Sequence, residues 1–204
     1  MTPTEIETMA RRQYNAVGDT FFSQAEIMDY IYKGQMEFCK HTFMLKKTYS
    51  TVTVADQKEY PLPANTMSIK RLELDGLRCT PISFAENDDM IVANDATTGG
   101  STDFYYQWDG SFFFGTAPAT SGLTIKIYSY SMPQAVENTS TIEIPGEYHL
   151  DLVTYVTYCM AAKDENPQAA GNYLKDWVTA LRQARKLERR KLTGDEFKSV
   201  TVVS

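Results

Sequence analysis

The chain has 204 residues and a formal net charge of −6 at pH 7, with 43% hydrophobic and 23% charged residues. This composition is ordinary for a globular protein with its own core, and an acidic balance argues against a surface built throughout for nucleic acid. No apolar run reaches about 18 residues, so we expect no membrane span, and the polar start of the sequence argues against secretion. Three widely spaced cysteines predict reduced, mostly buried thiols.

Two helices open the predicted order of elements. The first extends from Pro3 to about residue 17, with proline in its first turn. The second begins after Ser23 and continues to about Leu45. Ser23 and Glu26 have the spacing of a capping box, in which two side chains satisfy backbone N–H groups at a helix start.

A block of β-strands follows, because polar and apolar residues begin to alternate with period two. The predicted strands include residues 47–54, 69–74, 104–108, 111–114 and 123–130. Asp75-Gly76 and Asp109-Gly110 predict tight turns, the second of them a type I′ hairpin. The segment Tyr60–Pro63 predicts a turn or an extended corner, because proline lacks the N–H group that a sheet interior needs.

A short helix interrupts the strands. Ser83 and Glu86 form a second capping box, which predicts a helix to about Val92, and the polar residues 94–102 predict a loop. Glu86, Asp88 and Asp89 suggest a divalent cation, but negative charge near a helix start is favourable without any ion. We therefore interpret these carboxylates as part of the helix.

Helical periodicity returns after Pro145. A mostly apolar helix, which we expect to be central, ends at Asn166-Pro167, and a longer helix continues to about Leu192. The order of elements predicts an α+β fold, since helices from both ends must pack together to bury their apolar stripes. We expect a helical bundle from residues 1–46 and 145–193, an inserted antiparallel β-sandwich or barrel-like sheet domain in 47–144, and a C-terminal tail in 194–204.

This arrangement resembles the head-to-tail adaptor (connector, head-completion) proteins of tailed bacteriophages. The resemblance covers residues 20 to about 192 and is carried by the helix after Ser23, Tyr60–Pro63, Ile69–Gly76, Trp108–Gly110, Phe114–Pro118, Ile125–Tyr130, and Pro145 with Tyr173 and Trp177.

The resemblance implies a structural protein of the virion neck, made in the host cytoplasm. It implies a ring, typically of about twelve subunits, that binds the portal protein, neighbouring copies of itself, and tail or nozzle proteins. Packaged DNA passes through the lumen of such a ring without sequence-specific binding. The resemblance implies no enzymatic activity and no cofactor.

The strongest candidate contacts lie near the C-terminus. Residues 167–204 contain eight basic and four acidic residues and so carry +4, which leaves −10 on the other 166 residues. The candidate basic contacts are Arg182, Arg185, Lys186, Arg189, Arg190 and Lys191. Cations near a helix end suit the macrodipole, but six in ten residues favour docking on an acidic neighbour or portal, with DNA contact as a weaker alternative.

The tail after Gly194 is short and β-prone. Its apolar candidate contacts are Phe197, Val200, Val202 and Val203. A lone strand of this kind is unstable, so we expect the tail to add to a sheet edge in the same chain or in another subunit.

Catalytic and ligand-binding alternatives have weaker support. The two histidines, His41 and His149, have no partner at metal-binding spacing, and no nucleophile or phosphate-loop motif is present. We therefore expect no catalytic, metal or cofactor site. The aromatic hairpin around Trp108 suggests a carbohydrate- or ligand-binding β-module, but residues 103–115 contain no Lys or Arg. We interpret these aromatic residues as core or subunit contacts.

Overall fold

The computed structural model describes residues 1–93 and 102–193. In chain order, the described elements are α1 Pro3–Gln13, α2 Gln24–Thr42, β1 Lys46–Val52, β2 Glu59–Pro61, β3 Thr66–Leu74, β4 Leu77–Pro81, α3 Phe84–Ala93, β5 Phe104–Trp108, β6 Ser111–Phe114, β7 Thr124–Ser131, a 3-10 turn Gly146–Tyr148, α4 His149–Lys163 and α5 Pro167–Thr193. The predicted α+β class, with helices at both ends around a block of strands, is confirmed.

Contacts divide the chain into two compact units. Of the described residues, the helical unit contains Met1–Leu45 and 132–193, and the sheet unit lies within Lys46–Ser131. The segment 132–144 contains no helix or strand. The expected bounds place this segment in the insertion, but its Ile142 and Ile144 are buried in the core of the helical unit.

The central element of the helical unit is α4, as predicted, because α1, α2 and α5 all pack against it. Its core contains Ile6, Ile27, Phe38, Leu152, Met160 and Trp177. Gly34 of α2 brings that helix close to α4, since a Cβ atom at this position would lie 2.8 Å from Tyr155 Cδ1.

Several predicted helix ends require correction. Ser23 Oγ accepts the predicted bond from Glu26 N at 3.3 Å, but the Glu26 carboxylate accepts bonds from Tyr30 and Lys163. α2 ends at Thr42, three residues before Leu45, because Phe43 adopts the left-handed conformation with φ 55°. α1 ends at Gln13 and not near residue 17. The predicted box at Ser83 and Glu86 is confirmed by bonds of 3.1 and 2.7 Å.

The sheet unit contains one curled sheet with the strand order β1-β7-β3-β4-β5-β6-β2. Among the described strands, β4 and β5 pair in parallel and the other neighbours pair antiparallel. Its core contains Tyr60, Leu72, Phe112, Phe114, Ile125 and Ile127. The hairpin β5–β6 is confirmed, and Asp109 and Gly110 have the positive φ angles of a type I′ turn, 43° and 73°.

Of the two alternatives predicted at Tyr60–Pro63, a turn or an extended corner, the structure has extended backbone, because Glu59–Pro61 forms the edge strand β2. Bonds from Phe114 N to Lys58 O and from Leu62 N to Gly110 O hold this strand against β6. Successive residues of a strand direct their backbone groups to opposite sides. The backbone nitrogen of Pro61 therefore points away from β6, where the N–H group that proline lacks is not needed. An edge strand tolerates proline for this reason.

Candidate assembly surfaces

Five of the six predicted basic contacts share one side of α5. An α-helix turns by about 100° per residue, so positions three, four and seven residues apart lie on the same side. We call the five residues the basic face; all are exposed and they border a groove of about 390 Å³: Arg182, Arg185, Lys186, Arg189 and Arg190. Among the described residues, Arg182, Arg185 and Lys186 form no ion pair.

Lys191 lies on a different side of the helix. Its Nζ atom lies 2.7 Å from Glu188 Oε1 and 3.4 Å from Glu147 Oε1. The Glu188 side chain is only 6% exposed, and its hydrogen bond raises the pKa of Lys191. Lys191 therefore supports the packing of α5, and the structure does not bring it together with the basic face.

Aromatic packing fixes which side of α5 faces outward. Trp177 is buried, with its ring centroid 5.0 Å from that of Phe38 and 4.8 Å from that of Tyr155. Two turns further along, Ala184 is also buried. These inward residues lie on the side of the helix opposite to Arg182 and Arg189, so the basic face is directed to solvent.

The predicted contacts of the tail, Phe197, Val200, Val202 and Val203, lie outside the described residues. Their role in assembly stays a prediction.

The aromatic hairpin presents aromatic residues on both faces of the sheet. Tyr105, Phe112 and Phe114 point into the core of the sheet unit. Tyr106 and Trp108 alternate with them, as strand geometry requires, and point to the other face. The interpretation of these residues as core is confirmed for one face of the hairpin, and a subunit contact at the other face stays a prediction.

On the outer face, four aromatic rings form a contiguous cluster, in which Tyr106 is buried. The Phe84 ring of α3 lies 5.5 Å from that of Tyr106 and 5.4 Å from that of Trp108, and Tyr106 stacks on Phe113 at 5.1 Å. Phe84 is 48% exposed and Trp108 is 61% exposed. We call Phe84, Tyr106, Trp108 and Phe113 the aromatic face. Sequence reasoning identified the hairpin but not Phe84, whose contribution depends on where α3 packs.

Charged groups surround the aromatic face. Burial raises the pKa of Tyr106, and the nearby carboxylates of Asp88 and Glu59 raise it further. Asp109 follows Trp108 directly and is exposed. Residues 103–115 contain no Lys or Arg, but Lys58, from outside the hairpin, places its Nζ atom 5.8 Å from the Tyr106 ring centroid. The aromatic face therefore has one cation beside it.

The model of the SU10 adaptor protein family matches residues 1–200. The chain belongs to this family of phage head-to-tail adaptors. The match extends across both compact units and confirms the resemblance that the order of elements indicated. No curated protein matches the chain. A structural adaptor is not a class of enzyme.

Glu86 and the two histidines of this adaptor have contacts within the chain. The Glu86 carboxylate accepts the Ser83 N–H and its pKa is lowered by bonds to Ser83. His149 is buried and its Nε2 lies 2.9 Å from Ile144 O, whereas His41 lies 3.4 Å from Glu37. Within the described ranges, no cluster of three His, Cys, Asp or Glu residues is arranged to hold a metal ion.

The cysteines of the adaptor are free thiols, with Cys39 and Cys79 buried and Cys159 half-buried. Burial raises the pKa of Cys79 and of Cys159 to about 11, so these thiols are poor nucleophiles near neutral pH. Over residues 1–93 and 102–193, no helix has the length and apolar character to cross a membrane.

Proposed function

We propose that this adaptor forms a ring beneath the portal protein of a tailed phage, links the capsid to the tail, and surrounds the channel through which DNA leaves. The observation that carries the proposal is the family match over residues 1–200. The distribution of charge supports it, because an exposed basic face on α5 contrasts with a chain that is acidic elsewhere. Separate charged regions of opposite sign suit ordered assembly.

The acidic balance also suits a DNA conduit. A protein that neutralises many phosphates binds DNA tightly and releases counterions. The 166 residues before position 167 carry −10, so most of the surface repels phosphate and lets DNA pass without sequence-specific binding. The basic face is then available for protein contacts.

Two segments are proposed to make the assembly contacts. The basic face docks on carboxylates of a neighbouring copy or of the portal, because arginine binds carboxylates with two parallel hydrogen bonds. In the tail, Phe197 is followed by Val200, Val202 and Val203, a pattern that suits addition of a strand to the edge of another sheet.

The test combines the full chain with the portal protein of its virus, followed by electron-microscopic imaging and native mass measurement. We expect a ring on the portal, whose stoichiometry the mass gives directly. Deletion of residues 195–204 should leave a folded monomer and weaken ring or portal binding. No complex with the full chain would overturn the adaptor position, and unchanged assembly after the deletion would overturn the role of the tail alone.

A carbohydrate- or ligand-binding module is the second candidate, and the exposure of Trp108 is the observation that favours it. Exposed aromatic rings stack on sugars and on nucleic-acid bases. Screening the full chain on a glycan array tests this function. Binding that is lost on Trp108→Ala would favour it, and an array without signal would remove it.

A further inference from the structure

Two side chains of the aromatic face, Phe84 and Trp108, are exposed, while Phe113 is half-buried and Tyr106 is only 8% exposed beneath them. Trp108 is 61% exposed and Phe84 is 48% exposed, although each packs against the other. Contiguous apolar surface with a polar rim is typical of a protein contact site. Among the described residues, Phe84 and Trp108 therefore form a surface that is suited to contact with another protein.

The rim of this surface selects the chemistry of the partner. Asp88 and Glu59 lie near the Tyr106 ring, while Asp89 and Asp109 are exposed on the adjoining helix and turn. Arginine suits such a surface better than any other side chain. Its planar guanidinium stacks on aromatic rings and pairs with carboxylates through two hydrogen bonds.

The basic face offers that chemistry. Four of its five residues are arginines, and all five project from one side of a single helix. Arg182 and Arg185 form no ion pair among the described residues, so these two side chains can dock without breaking an existing pair. The two faces lie on different units of the chain and have complementary charge.

We propose that the basic face of one copy docks on the aromatic face of the next copy. The proposal rests on the proposed function, because it assigns the contact between neighbouring copies of the adaptor. The two surfaces are different, so the contact is heterologous: each copy offers one surface and receives the other. Heterologous contacts continue from copy to copy and close as a ring when the rotation between copies allows it. A contact between two identical patches would stop at a dimer.

The test uses charge exchange in the full chain assembled on the portal of its virus, with copies per portal counted by native mass measurement. Arg185→Glu with Arg189→Glu should weaken ring formation by about tenfold or more in protein concentration, as should Asp88→Arg with Asp89→Arg, because each pair places like charges together. All four substitutions in one chain should restore the ring. Trp108→Ala should weaken it as well.

Two matched controls separate this contact from general effects of charge and surface. Arg12→Glu reverses an exposed charge on α1, outside the basic face, and Leu77→Ala removes an exposed apolar side chain from a turn of the sheet unit. Both should assemble like the unaltered chain. Every altered side chain is exposed, so we expect each variant to fold. Circular dichroism of each variant checks this.

Three outcomes would overturn the proposal and leave the adaptor function standing. They are full rings from both charge-reversed variants, failure of the fourfold variant to recover, and loss of glycan binding by Trp108→Ala with normal rings. The second outcome would assign the basic face to the portal instead. If the unaltered chain forms no ring on the portal, the proposed function itself fails, so the two failures are distinguishable.

Mixing the two charge-reversed variants gives an independent check. Each variant repels its own copies at this contact, but its altered surface matches the altered surface of the other variant and its unaltered surface matches the other's unaltered one. The mixture should therefore recover rings in which the two variants alternate. Equal behaviour of the mixture and of each variant alone would contradict a contact between copies.

Discussion

Substitution of Gly34 tests how closely α2 and α4 pack in the helical unit. A Cβ atom at this position would lie 2.8 Å from Tyr155 Cδ1 and 3.0 Å from Leu152 Cδ2. Carbon atoms in favourable contact are about 3.5–4.0 Å apart, so Gly34→Ala forces the helices or these side chains to move by about 1 Å. Neither neighbour moves freely, since Leu152 is fully buried and the Tyr155 ring packs on Trp177 at 4.8 Å.

Two opposing effects set the size of the change. Alanine in place of glycine within a helix gains about 1 kcal/mol through helix propensity. Overpacking a well-packed core costs about 1–3 kcal/mol. We therefore expect Gly34→Ala to lower the free energy of unfolding by about 1 kcal/mol net, in spite of the better helix former.

Gly171 supplies the matched control. It lies in α5, and no atom of the described residues lies within 4 Å of the Cβ position. Gly171→Ala should raise the free energy of unfolding by about 0.5–1 kcal/mol. Urea unfolding followed by the fluorescence of buried Trp177, in a Trp108→Phe background, measures both variants. A Gly34→Ala chain as stable as the Gly171→Ala chain would refute the close packing of α2 and α4.

The remaining predictions concern single side chains. A hydrogen bond from Lys163 holds the pKa of Glu26 below 4.5, so its contribution is present above the unfolded pKa and lost as the pH falls through the folded pKa. Glu26→Gln should therefore lower the urea midpoint near pH 7 but not near pH 2, and equal losses would contradict this. Phe112→Ala removes a fully buried ring and should cost about 3–5 kcal/mol in urea unfolding; a loss below about 1 kcal/mol would show that the site is not core. Gly110→Ala should lose about 1–2 kcal/mol because φ is 73°, whereas Asp109→Asn should retain thermal stability, since Asn tolerates positive φ. Similar losses for both would contradict the turn assignment.

The elements that sequence reasoning predicted well are those specified by a few neighbouring residues. Asp75-Gly76 and Asp109-Gly110 adopt positive φ at both positions, which is the conformation that these residue pairs favour. The capping box at Ser83 and Glu86 likewise forms within four residues. Such features need no information from the rest of the chain.

The predictions that failed depend on distant contacts. Glu26 has the spacing to complete the capping box with Ser23, but Lys163, 137 residues away in the chain, lies 2.5 Å from its carboxylate. The edge position of Pro61 depends on pairing with β6 across about 50 residues, and the segment 132–144 joins the helical core through Ile142 and Ile144. Period and spacing describe local geometry and do not specify which distant partner is available.

The basic run of α5 combines local and distant effects. The helix macrodipole favours cations only within about the last turn, and α5 ends at Thr193. That effect covers Arg190 and Lys191, and Lys191 has a further role in pairing with Glu188. Arg182 and Arg185 lie more than two turns before the helix end, where the macrodipole no longer favours positive charge. Neither forms an ion pair within the described residues, so stability of the helix does not account for these two cations, and both are available for the proposed contact between copies.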